Sequence, residues 1–293
     1  MFFSFCHAGS QISEKLSAYL YEDTKKLVIL VEDAAGMLEK HGAEVFKEFS
    51  RKGSRWFNED NYLFVYDIEG TCIFHPIAPE LIGKNLIKFK DINGKPVIDL
   101  ITRIGKKPQN NASGWVFYLW EEGTQLTPSW KSSYIRKVVG PDNKIYVIGS
   151  GSYNIKIEKV FIQQNVNAAV QLLQEKGKEA AFAIYNSVSS HFHVLGTFIF
   201  VIDEKGYTLV DPAYPTNTGR NLSNFRDAVG RDVVKEVTAK LQKNDEAWMQ
   251  FLWPKPGSTL PSRKLLYVRK VKVANEILFV GSSFFTATPI WMK

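Results

Sequence analysis

The chain has 293 residues, 45% hydrophobic and 23% charged, a globular composition long enough for two domains and for a core that needs no disulfide staples. Two cysteines, Cys6 and Cys72, exclude a disulfide framework and a cysteine-based metal site, and no run of about 18 apolar residues is present to span a membrane. The net charge of +7 is spread over both halves without a basic run or a nucleic-acid motif, so nucleic acid is not an expected partner.

Met1 to Ala8 is apolar and ends in small residues, with Cys6 and Ala8 placed for cleavage before Gly9. It reads as the tail of a secretory signal over residues 1–9, and predicts a periplasmic or secreted protein. From Ser10 to about Ser50, apolar residues recur at helical spacing through Ile12, Leu16, Leu20, Leu27, Val31, Ala34, Leu38, Val45 and Phe49, with Gly36 and Gly42 as candidate breaks. The pattern then changes to alternation. Tyr62–Ile68 and Thr71–His75 read as strands joined by the Asp67–Gly70 turn. A short helix is expected over Lys95–Ile104, followed by strands Trp115–Trp120, Ser132–Val138 and Ile145–Ser150.

The second half repeats the first. Tyr62–Gly70 returns as Phe198–Gly206, His75-Pro76 as Asp211-Pro212, Gly83–Leu86 as Gly219–Leu222 and Asp91–Lys95 as Asp227–Arg231, each 136 residues later. Trp115–Trp120 returns as Trp248–Trp253 and Tyr134–Val138 as Tyr267–Val271, 133 residues later. The order is kept and the offset drifts only through short deletions, so one domain of about 135 residues is duplicated. The second copy is expected to open with a helix over about Ile155–Tyr185, whose Leu173–Glu179 stretch, with Gly177, echoes Leu38–Glu44, with Gly42. Its strands are Phe198–Ile202, Tyr207–Val210, Trp248–Trp253, Leu265–Val271 and Ile277–Gly281, with a short helix at Arg231–Leu241. The expected architecture is α+β: modules over 10–154 and 155–293, each a helical segment followed by a five-stranded antiparallel meander, with the long helix on one sheet face and a small-molecule pocket under the middle loop of the other.

Seven motifs in order resemble the Cache family, PAS-like extracytoplasmic sensor domains, most closely the single-Cache type in tandem. They are Tyr62–Gly70, His75-Pro76, Gly83-Lys84-Asn85, Asp91–Lys95, Gly114–Tyr118, Lys131–Tyr134 and Gly149–Tyr153. The match is close over about 30–154 and looser over 165–285. The resemblance implies a non-catalytic binding module for small ligands, with short carboxylates common in the subgroup.

A buried carboxylate ligand needs donors and preferably positive charge. The candidate contacts in the first module are His75, Tyr66, Trp115, Tyr118, Lys131 and Tyr134; those in the second are Asp211, Trp248, Lys264 and Tyr267. Without the family match, Trp115, Tyr118 and Tyr134 read as core aromatics and His75 as bonded to a loop carbonyl; with it, His75 reads as a ligand contact, and the aromatics and Lys131 stay open between core and contact. The second module replaces His75 by Asp211 and Tyr118 by Phe251, so the two modules are not expected to take the same ligand, and a second module that binds none is an open alternative. Gly83-Lys84-Asn85 lacks the surroundings of a phosphate loop and is expected to shape the pocket roof. His191-Phe192-His193 offers two imidazoles without an evident third ligand, and no catalytic triad, metal motif or cofactor site is found.

The expected function is binding of acetate, propionate, pyruvate or lactate in the first module. With no kinase or methyl-accepting helix in these residues, occupancy would pass to a membrane receptor, histidine kinase, chemoreceptor or uptake system. A homodimer through the long helix is a further expectation. The alternative is a scaffold whose modules bind another protein, with the pocket filled by the chain's own aromatics.

Overall fold

The computed structural model describes residues 12–58, 61–122, 126–153, 155–255 and 257–286. The signal remnant at 1–9, and Cys6 with it, lies outside them. The chain divides into two compact units, residues 1–158 and 159–293.

In the first unit, residues 12–17 are helical, the backbone breaks at 18–21, and helix α1 runs Glu22–His41. The single helix expected from Ser10 is therefore interrupted. The buried carboxylate of Glu158 accepts the Leu20 and Tyr21 N–H groups at 2.8 and 2.9 Å, supplying partners that a continuous helix would have provided. Gly36 does not break α1; Gly42, at φ 59°, ends it. A 3₁₀ turn (Gly42–Val45) and a one-turn helix α2 (Phe46–Phe49) follow.

The sheet contains β1 (Leu63–Asp67), β2 (Cys72–Phe74), β3 (Ser113–Trp120), β4 (Ser129–Val139) and β5 (Ile145–Ser152), with helix α3 (Val97–Gly105) between β2 and β3. All pairings are antiparallel and the order is 2-1-5-4-3. This is not the expected meander. β1 and β2 form one hairpin and β3, β4 and β5 follow one another as neighbours; the chain crosses from one sheet edge to the other between β2 and β3, and β5 returns to pair with β1. Helix α1 packs on β4 and β5, and α3 packs on β3, β4 and β5 from the opposite face.

The second unit repeats this order. Helix α4 (Lys159–Asn186) is interrupted at Gly177 (φ 76°, ψ 176°). The strands β6 (Ile199–Asp203), β7 (Thr208–Val210), β8 (Glu246–Pro254), β9 (Pro261–Val273) and β10 (Glu276–Phe285) form the order 7-6-10-9-8, and α5 (Val233–Lys243) stands in the crossover.

Two of the motifs that carry the family resemblance fasten the crossover loop. Asp91 Oδ1 accepts the N–H groups of Asn93 and Lys95, both at 2.9 Å, and Oδ2 accepts Leu119 N–H on β3 at 3.0 Å. Lys95 Nζ donates to Phe117 O at 2.7 Å. Asp227 and Arg231 repeat the clasp on Leu252 N–H and Gln250 O. Burial opposes ionisation of Asp227, but the N–H groups of Arg231, Leu252 and Val229 prevail and hold its pKa below the usual range. At the other end of the loop, Asn85 Nδ2 donates to Glu69 O and Gly83 N–H to Cys72 O, pinning Gly83-Lys84-Asn85 along β2. Asp91→Ala strands three N–H groups at once. It should lower the first unit's stability by about 2–4 kcal/mol, read as a reduced urea midpoint at unchanged slope.

Candidate functional site

Strand β4 carries the centre of the first unit's site. Its side chains alternate, so Lys131, Ser133 and Ile135 face α3 while Ser132, Tyr134 and Arg136 face α1. On the α3 side Lys131 is 1% exposed. Its Nζ donates to Tyr62 Oη at 2.6 Å and lies 4.3 Å from the Tyr62 ring centroid and 5.2 Å from that of Tyr153. Among the described residues no carboxylate pairs with it, and burial pushes its pKa down from 10.5 to about 7. Gly151 on β5 makes room for this side chain: a Cβ there would come within 2.8 Å of Lys131 Cε and collide with Ser133 Oγ.

His75 follows β2 and is buried, its ring centroid 5.2 Å from that of Tyr62. Its Nδ1 accepts the Ala78 N–H at 3.0 Å, which places the ring proton on Nε2. It bonds a loop N–H, then, rather than the loop carbonyl that the sequence suggested. Burial first, and the charge of Lys131 second, push its pKa down to about 4, so the ring is a neutral donor at physiological pH. Tyr118 stands opposite Lys131 across β3–β4, and its Oη shares a 2.9 Å hydrogen bond with Ser133 Oγ. Tyr66 lies in the apolar cluster with Phe64, Tyr118 and Ile135, and Tyr62 and Trp120 pack against that cluster.

The structure thus brings together His75, Tyr66, Tyr118 and Lys131, but not Trp115 or Tyr134. Each of those two stands three residues from its partner on the strand, Trp115 from Tyr118 and Tyr134 from Lys131, and an odd separation reverses the face. Trp115 Nε1 donates to Tyr19 Oη at 2.9 Å. Tyr134 Oη and Lys15 Nζ donate to Glu32 Oε1 at 2.6 and 2.5 Å, and Arg136 Nε donates to Glu32 Oε2 at 3.1 Å. Burial disfavours the Glu32 carboxylate, yet these three partners hold its pKa below the usual range. Sequence reasoning passed over Tyr62 and Tyr153 as contacts, although both stand inside quoted motifs. Counting in twos, from Tyr66 back to Tyr62 and from Gly149 to Tyr153, places them on the same side.

In the second unit Lys264 occupies the register position of Lys131, opposite Phe251, and shares its surroundings with Asp211. Trp248 and Tyr267 stand on the other face, for the same odd-separation reason. Tyr267 Oη donates to Glu246 at 2.7 Å, and Lys159 lies over the Trp248 ring. His193 stacks on Phe198, and among the described residues no three His, Cys, Asp or Glu side chains converge as a metal site would require.

A crossover helix over one face of a 2-1-5-4-3 antiparallel sheet defines a PAS-like module, here present twice, with a buried lysine at the same register position in each. The chain belongs to the Cache domain family, whose model matches residues 29–158 and again 160–288. Part of it is similar to the methyl-accepting chemotaxis protein McpP of Pseudomonas putida, 26% identical over 154 residues, which are 48% of this chain and 27% of that protein. The chain therefore spans about a quarter of that relative's length. A solved Cache chemosensory domain, described for carboxylic acid recognition, is 19% identical over 43% of this chain and 92% of its own, with a TM-score of 0.38. The ligand-binding domain of the Pseudomonas aeruginosa chemoreceptor PctB, in complex with L-Arg, is 13% identical over 88% of this chain and 86% of its own, with a TM-score of 0.30. No helix among the described residues is long and apolar enough to cross a membrane.

The buried lysine gives a signed pH dependence. Lys131 titrates near 7 when folded and near 10.5 when unfolded, so between these values the unfolded chain binds more protons and the first unit gains stability as pH rises. Below pH 7 both states are protonated and the full cost of the buried charge is present. Lys131→Met should therefore be more stable than wild type at pH 6, and that advantage should shrink by pH 9.5, in urea unfolding at both values.

Proposed function

We propose that the first unit binds a short monocarboxylate of the acetate, propionate, pyruvate or lactate class, and that the protein is an extracytoplasmic sensor passing occupancy to a membrane chemoreceptor or histidine kinase. The observation that carries this reading is the Lys131 ammonium, buried without a carboxylate partner among the described residues. An unpaired buried charge is costly unless something supplies the opposite charge. A carboxylate would do so and would accept further bonds from His75 Nε2–H and from the hydroxyl proton of Tyr62, whose oxygen already accepts from Lys131. The rings of Tyr62, Trp120, Tyr66 and Tyr118 offer apolar surface for a short carbon chain. The family assignment, and the chemotaxis-receptor relative, support the sensing role. Occupancy would act by favouring the conformation in which the crossover loop is closed over the acid.

Thermal unfolding with each of the four acids tests this. At a hundredfold excess over Kd, about 2.7 kcal/mol of stabilisation should raise the first unit's Tm by roughly 5–10 °C. Lys131→Met should abolish the shift and His75→Ala should weaken binding about tenfold or more, whereas no shift with any of the four would sink the reading. The sign with pH is also set. Binding favours the ammonium form, so affinity should fall as pH rises above about 7, with proton uptake measurable by calorimetry in buffers of different ionisation enthalpy.

A further inference from the structure

The duplication allows the two sites to be compared position by position. Lys264 pairs with Phe251 across β8–β9 as Lys131 pairs with Tyr118 across β3–β4, and both lysines are buried. The neutral donors around Lys131 are absent from the second copy. Tyr62, Tyr118, Ser133 and Tyr153 are replaced by Phe198, Phe251, Leu266 and Phe285. Four hydroxyls become hydrocarbon, and the one imidazole, His75, becomes the carboxylate of Asp211.

That carboxylate is held in place. Asn217 Nδ2 donates to its Oδ2 at 2.9 Å, and Tyr214 N–H donates to its Oδ1 at 3.1 Å. Tyr214 is also the platform for the lysine: the Lys264 Nζ lies 4.8 Å from the Tyr214 ring centroid and 5.0 Å from that of Phe285. One residue therefore carries the anion on its backbone and the cation on its ring, and the Tyr214 Oη is tied down on Pro254 O at 2.8 Å. The two charges act on each other. Burial lowers the Lys264 pKa to about 8, with the Asp211 charge opposing the fall, and burial raises the Asp211 pKa, with Asn217 and the Tyr214 N–H ahead of Lys264 among the groups that oppose the rise.

We propose that Asp211 is a built-in counter-anion for Lys264, filling the charge role that the first unit leaves to a bound acid, so that the second unit's site rejects organic anions. An incoming carboxylate there would meet a like charge and lack the four hydroxyls that stand around Lys131 in the first unit; both effects oppose binding. The comparison with a bound acid rests on the monocarboxylate reading of the first unit, whereas the Asp211–Lys264 relation stands on the second unit alone.

The test is a chemical-shift titration of the isotope-labelled full chain with sodium acetate, with sodium chloride as the control. Backbone amides report each unit separately. In wild type, amides of β9 and of the 211–217 loop should not move beyond the chloride control. In Asp211→Ala they should titrate saturably with acetate, because the removed carboxylate is replaced by an external one, and adding Lys264→Met should abolish the response. Asp211→Asn removes the charge while keeping the shape, and serves in the same titration if the alanine variant does not fold. Acetate-specific shifts in the wild-type second unit, or none in either Asp211 variant, would overturn the proposal. First-unit amides that ignore acetate in wild type would count against the monocarboxylate reading, and leave the second-unit result to be judged on its own residues.

Discussion

A β-strand cannot send neighbouring side chains to the same face, and the first unit depends on how β4 uses that constraint. Lys131 and Ser133 turn toward α3, where the crossover loop covers them. Tyr134 and Arg136, interleaved with them, turn toward α1 and meet Glu32. One strand therefore supplies both a donor cluster without an anion among the described residues and, one residue over, an ion-pair network in which the anion is provided. The second arrangement fastens the helix to the sheet. The first carries an electrostatic deficit on the opposite side of the same layer.

Much of this was legible in the sequence, and the misses have physical causes. The duplication, the ten strands and the helix breaks at Gly42 and Gly177 follow from periodicity and spacing, because a residue's local geometry constrains its type. Sheet order was not legible. A meander and a 2-1-5-4-3 sheet have the same strands in the same sequence, and only the long-range pairing of β1 with β5 separates them. Of the candidate contacts, Lys131, His75, Tyr118 and Tyr66 lie on one side of the sheet, while Trp115 and Tyr134, chemically just as suitable, lie on the other, and residue type alone cannot separate the two faces. The Asp91–Lys95 motif shows the converse. The sequence offers it only as part of a family resemblance, while its partners are backbone N–H groups and a carbonyl, contacts that no side-chain pattern announces.

The two clasps also show what duplication preserved. Asp91 and Asp227 make the same three backbone contacts, and Lys95 and Arg231 reach equivalent carbonyls with different side chains. The frame of each module has stayed fixed while the side chains around the buried lysine have been exchanged almost completely. Such a division lets a module change its chemistry without renegotiating its fold.

Gly151 gives that division a sharp edge. The volume that a β-carbon would fill there belongs to the shaft of Lys131 and to Ser133 Oγ, so the position of a positive charge is determined by an atom the protein omits. The second copy carries Ser283 at this position, opposite Leu266. Gly151, Ser133 and Lys131 fit together as a set, and in the second copy, where Ser283 stands in place of the glycine, the serine has become Leu266 as well.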